Sequence, residues 1–124
     1  MQGTVLLLTT EGSPLVDVLR AHGLIVYHCD EPADALTRIE QIAPDVIVAL
    51  LTGDESPSLL PELRRLADRA TSIIVTSVAE QREAARNGGA DVFLLKSAPP
   101  SGLLYEIHRA LILRRSGRRL PPNW

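Results

Sequence analysis

Cysteine is almost missing from this chain. Cys29 stands alone among 124 residues, so no internal disulfide can form, which suits a reducing compartment. Aromatic side chains are nearly as scarce. Tyr27, Phe93, Tyr105 and Trp124 are the whole set, so the core must be built from Leu, Ile, Val and Ala. No apolar run approaches the ~18 residues of a membrane span. Met1-Gln2-Gly3-Thr4 lacks the basic stretch that opens a secretory leader, and the expected location is cytoplasmic. Neither sign of charge dominates: the net value is −2, which argues against a general affinity for nucleic acid or acidic membranes. Arg109, Arg114, Arg115, Arg118 and Arg119 crowd the C-terminus. Without an aromatic platform those arginines read as a solvated linker rather than a nucleic-acid site. His22, His28 and His108 show no metal-ligand spacing with Cys29 or with one another, and no cofactor is implied.

What the chain does contain is a repeating alternation. At 124 residues, 45% of them apolar and 23% charged, one domain can bury a sizeable core without staples. Val5-Leu6-Leu7-Leu8 is a short apolar run of the kind buried on both sheet faces. Ser13-Pro14 then predicts a helix start and Gly23 its stop. Leu24 to Cys29 is a second strand, and Asp30-Glu31-Pro32 opens a helix with Ala35, Leu36, Ile39 and Ile42 on its apolar stripe, Asp30 being the expected N-cap. Pro44 closes that unit. Asp45 to Leu50 predicts a third strand, about 58–70 a helix, Ser72 to Thr76 a fourth strand, and Ala79 to Asn87 a polar helix stopped by Gly88-Gly89. Asp91 to Leu95 is a fifth strand. Ser101 to about Arg115 is a last helix, with Leu103, Leu104, Ile107, Leu111 and Ile112 as its buried stripe. The expected division is a domain over 1–115 and a flexible tail or linker stub over 116–124.

Strands that alternate with helices demand a parallel sheet covered on both faces. Five of each suit the flavodoxin-like (CheY-like) three-layer α/β fold with strand order 2-1-3-4-5. Function on such a sheet sits at the carboxyl ends of the strands, here Thr9, Thr10, Glu11, Leu50, Leu51, Thr76, Ser77 and Lys96.

Those positions carry a resemblance. The Pro44-Asp45 strand start, Ile73-Ile74-Val75-Thr76-Ser77, and Gly89-Ala90-Asp91-Val92-Phe93-Leu94-Leu95-Lys96, in that order and spacing, resemble the receiver domain of two-component response regulators from about residue 3 to residue 115. The resemblance implies an acidic pair for Mg²⁺ after the first strand, a phosphoacceptor aspartate ending the third, a hydroxyl ending the fourth, a lysine ending the fifth and a switch aromatic within it. Thr76, Lys96 and Phe93 match. The acidic pair falls on Thr9 and Thr10, and the phosphoacceptor falls on Leu50. Threonine hydroxyls bring no charge to a hard cation, and a leucine is no nucleophile. Glu11 and Asp54 lie nearby in sequence without restoring the spacing. Ser97 stands where the family has a proline, so the loop Ser97-Ala98-Pro99-Pro100 departs from its pattern. Each matching residue has a second reading: Thr76 as the cap of the following helix, Lys96 as a solvated strand end, Phe93 as core.

The expected function is that of a degenerate receiver: a phosphorylation-independent protein-interaction or dimerisation module in signal transduction or transcription regulation, and not an enzyme. The expected surface joins the fourth helix, fifth strand and last helix through Arg82, Arg86, Asp91, Tyr105, His108, Arg109 and Ile112. The expected partner is a second copy or a signalling protein, with no membrane partner and with nucleic acid reached only through a separate effector domain. Two alternatives stand beside it. The altered pocket, with Leu50 and Leu51 at its floor and Thr76 and Lys96 at its rim, suits a small ligand. The arginine-rich end suits a chain that is the first part of a DNA-binding regulator.

Overall fold

Short aliphatic runs become parallel strands wherever helices can cover both of their faces, and here five of them do. A computed structural model describes residues 2–9, 14–51 and 59–122. Its elements are β1 (Thr4–Thr9), α1 (Leu15–Ala21), β2 (Ile25–Cys29), α2 (Pro32–Ile42), β3 (Val46–Leu50), α3 (Leu59–Leu66), β4 (Ser72–Ser77), α4 (Arg82–Asn87, preceded by a 3-10 turn), β5 (Val92–Leu95) and α5 (Pro100–Arg115). The sheet is parallel throughout, in the order β2-β1-β3-β4-β5.

Alternation along each strand splits the core in two. Leu6, Leu8, Ile47, Ala49, Ile73, Val75 and Phe93 face α2, α3 and α4, where Ile39, Leu60, Leu63 and Ala85 cover them. Val5, Leu7, Val46, Val48, Ile74 and Val92 face α1 and α5, where Leu19, Leu103, Ile107 and Ala110 cover them. Each fully buried Leu, Ile or Val stabilises the fold by about 1.5–3 kcal/mol, which makes an aliphatic core sufficient without aromatics.

Several local expectations are corrected. The N-cap position of α2 is Glu31, not Asp30, and no side chain caps it. Helix α3 stops at Leu66 rather than near residue 70, because Asp68 turns back to accept the Ala70 amide at 2.8 Å. Ile112, expected in the buried stripe of α5, is 49% exposed, while Ala110 is fully buried in its place.

The largest correction concerns 116–124. Gly117 adopts φ 71°, a left-handed conformation that glycine takes without steric cost. The Gly117 amide donates to the Arg114 carbonyl at 2.9 Å and the Arg118 amide to the Leu113 carbonyl at 3.0 Å. That pair of bonds is a Schellman closure, and it turns the chain back under the sheet. Leu120 is then 1% exposed, its amide donates to Ser72 Oγ at 2.8 Å, and Arg119 Nε donates to Asp91 Oδ1 at 3.0 Å. Residues 117–120 are therefore a docked strap. Asn123 and Trp124 lie outside the described residues.

Candidate functional site

Parallel register sets one row of side chains across the carboxyl end of the sheet. Thr9 lies beside Leu50, Leu50 beside Thr76, and Thr76 beside Leu94. The strand ends are tied beyond the ladder: the Leu51 amide donates to the Thr76 carbonyl at 3.0 Å and the Lys96 amide to the Ser77 carbonyl at 2.8 Å. Ser77 Oγ donates to the Leu51 carbonyl at 2.9 Å. The row is thus held rigidly, as a site needs to be.

Three of the expected positions meet at one cavity, and others do not. Leu50 and Thr76 are half-buried and line one cavity of about 220 Å³ together with Lys96. Thr9 is buried beside Leu50 in the sheet without lining that cavity. Thr10, Glu11 and Asp54 lie outside the described residues. Leu51 is not at the cavity floor. It is 3% exposed on the opposite sheet face, within the α2–α3–α4 core. Thr76 does not cap the next helix, since the turn after β4 begins at Val78 without a side-chain cap. Lys96 is exposed. Phe93 is 7% exposed and packs in the core.

The cavity is mostly apolar. Its walls come from Leu15 and Val18 of α1, Leu94 and Leu95 of β5, Pro99 of the following loop and Leu103 of α5. No sequence motif marks these residues. The one legible signal is parity, which puts Leu94 in the same row as Thr76 once the strand register is known.

On the expected interaction surface the residues divide. Tyr105 is 62% exposed and Ile112 49%, and His108 is exposed between them on α5. Arg109 lies over the Tyr105 ring at 5.8 Å and pairs with Glu106 at 3.0 Å. Arg82 and Arg86 are exposed on α4. Asp91 is a correction: it is 3% exposed and belongs to the other end of the sheet. Its carboxylate accepts the Ile73 amide at 2.8 Å, Arg64 Nη1 at 3.2 Å and Arg119 Nε at 3.0 Å. Burial pushes the Asp91 carboxyl above its ordinary value, against the pull of the Ile73 amide and the two guanidinium groups. Burial likewise lowers Arg64, with Asp91 opposing.

Other reactive groups are quiet. Cys29 is buried, and its burial raises the thiol against the opposing charge of Arg38, which leaves little thiolate. Among the described residues no group of His, Cys, Asp and Glu is disposed to hold a metal ion, and no helix is long and apolar enough to cross a membrane.

With this geometry in hand, comparison with solved structures is decisive for the fold. A CheY-like response regulator receiver domain protein from Methanospirillum hungatei superposes with a TM-score of 0.78 at 18% identity, over 94% of this chain and 99% of its own. The chain has the receiver fold. The receiver domain of NtrC4 from Aquifex aeolicus matches with a TM-score of 0.78 at 19% identity, over 90% and 98% of the two chains. Chemotaxis protein CheY4 from Vibrio cholerae matches with a TM-score of 0.73 at 20% identity, over 89% and 99%. No family model matches the sequence, and neither does any curated relative. The row Thr9–Leu50–Thr76 lies at the carboxyl ends of three neighbouring parallel strands, the end of an open α/β sheet at which ligands generally bind.

Proposed function

We propose that this protein is a receiver-like signalling module that works by self-association rather than by aspartyl phosphorylation, and that it is not an enzyme. The observation that carries the reading is Leu50. It sits between Thr9 and Thr76 in the sheet, where the receiver resemblance calls for a carboxylate. An aliphatic side chain offers no nucleophile to a phosphodonor and no ligand to Mg²⁺. Thr9, buried beside it, adds no charge.

The contact surface follows from what the fold leaves uncovered. Strand β5 is an edge, with α4 on one sheet face and α5 on the other. Val78, Leu95, Tyr105 and Ile112 stay exposed around it. Large aromatic and aliphatic side chains in the open supply binding energy, and the nearby Arg82, Arg86, His108 and Arg109 supply register and partner choice.

Sedimentation velocity tests this directly. The protein should self-associate at micromolar concentration, unchanged by acetyl phosphate with Mg²⁺, and Tyr105→Glu with Ile112→Glu should return it to monomer. A monomer at every concentration, or association that needs the phosphodonor, would overturn the reading.

A further inference from the structure

The cavity beside Leu50 has a shape and polarity that the self-association reading does not use. Its floor and walls are Leu15, Val18, Leu50, Leu94 and Leu103, and among the described residues that line it Lys96 alone is charged. Among the described residues no acidic side chain lines it. The Lys96 ammonium and the Thr76 hydroxyl have no side-chain partner among the described residues. Helix α5 starts at the rim, sixteen residues long and with no acidic residue in its first turn. The positive end of its dipole therefore adds to Lys96 instead of opposing it. Together these features describe an apolar body site with one cationic corner.

Size narrows the occupant. An apolar cavity of about 150 Å³ holds benzene. At about 220 Å³ the groove takes a body of about nine non-hydrogen atoms, well below the ~300 Å³ at which drug-sized sites begin. We propose that this groove binds a small monocarboxylate with a compact apolar body, its carboxylate on the Lys96 ammonium and the Thr76 hydroxyl and its body against Leu50 and Leu94. A charge-assisted bond at the mouth fixes orientation, and apolar burial supplies the remainder.

Amide NMR titration of the intact chain tests it with three probes: benzoate, its uncharged isostere benzamide, and inorganic phosphate. Benzoate should give saturable shifts at Leu50, Thr76, Leu94 and Lys96, with benzamide about tenfold weaker because the charge-assisted bond is lost. Phosphate should be weaker still, since the aliphatic walls offer it nothing. Lys96→Met should weaken benzoate about tenfold and benzamide by much less, since only benzoate loses an ion pair, and Leu50→Asp should weaken benzoate by placing a like charge against it. Leu50 is half-buried and Lys96 is exposed, so the first variant keeps the fold. Equal binding of benzoate and benzamide, phosphate binding as well as benzoate, indifference to Lys96→Met, or an absence of saturable shifts would overturn the proposal. Sedimentation reads self-association separately, so one inference can fail without the other.

Discussion

Asp91 shows how much can depend on one side chain that sequence patterns place on a surface. An aspartate opening a strand is normally a solvated turn residue. Here the carboxylate receives the Ile73 amide, Arg64 and Arg119 at once, so its removal leaves a buried amide without an acceptor and strips its nearest counter-charge from a largely buried guanidinium that keeps only its bonds to the Asp68 and Thr71 carbonyls. Asp91→Ala should cost about 3 kcal/mol in urea unfolding, and Asp91→Asn less, because the amide oxygen still accepts from Ile73. A loss near zero for Asp91→Ala would mean the strap carries no weight. Leu50 is the converse case. Its chemistry was readable from identity and position alone, because no packing arrangement turns a hydrocarbon into a nucleophile.

Helix ends account for much of what could be read in advance. Gly23, Gly89 and Gly117 all adopt positive φ, and each closes its helix with the same paired bonds back to the last turn. Ala43 ends α2 with φ 48°, a left-handed conformation that a Cβ disfavours by about 1–2 kcal/mol. Ala43→Gly should therefore raise stability by about 0.5–1 kcal/mol after glycine's larger unfolded-state entropy is set against the relieved strain. Thermal unfolding measures it, and a fall in midpoint would show that the Ala43 methyl packs usefully. Strand edges follow a different logic. On β2, Arg20 Nη2 donates to the Val26 carbonyl at 3.0 Å and Arg38 Nη1 to the His28 carbonyl at 3.4 Å. These arginines occupy outward acceptors that a further strand would use. Both edges expose apolar side chains, Ile25 and Tyr27 on β2 and Leu95 on β5, so the arginine-covered carbonyls of β2 are what set the two edges apart.

Taken as one body, the described residues form an aliphatic row at the carboxyl ends of the strands and an arginine–aspartate lattice at their amino ends. Arg114 bridges Asp45 at 3.2 Å and Asp68 at 2.7 Å, and Asp45 also accepts the Thr4 amide at 2.9 Å. The lattice should respond to acid in a set order. Burial holds Asp91 above the ordinary carboxylate value of 3.8, so the proton-linked part of its contribution to stability is present below that value and is lost as pH rises through its folded value, while its hydrogen bonds to Ile73, Arg64 and Arg119 remain. The Ala70 amide and Arg114 hold Asp68 below 3.8, so its contribution is present above that value and is lost as pH falls through its folded value. Carboxyl carbon NMR should show Asp91 taking its proton before Asp68 on acidification, and the reverse order would refute the buried placement. Leu120→Ala should cost about 2–4 kcal/mol if the strap is packed as described, whereas a free tail would leave urea unfolding unchanged.

The alternation of aliphatic runs with amphipathic segments was enough to settle the layered α/β fold, because a parallel crossover has one favoured hand and buries both sheet faces, and it suited the strand order that the packed sheet shows. Residue identity alone also settled that Leu50 brings no carboxylate to the row at the carboxyl ends of the strands. Contacts between residues far apart in the chain were not legible, because they depend on how helices and strand ends meet in space. The partnership of Asp91 with Arg119 joins positions 28 residues apart, and the return of Leu120 to Ser72 spans 48. The same holds for the cavity at Leu50, whose walls come from α1, β5 and α5. Local pattern reports which faces must be buried, and only the packed chain determines which side chains bury them and where a gap is left.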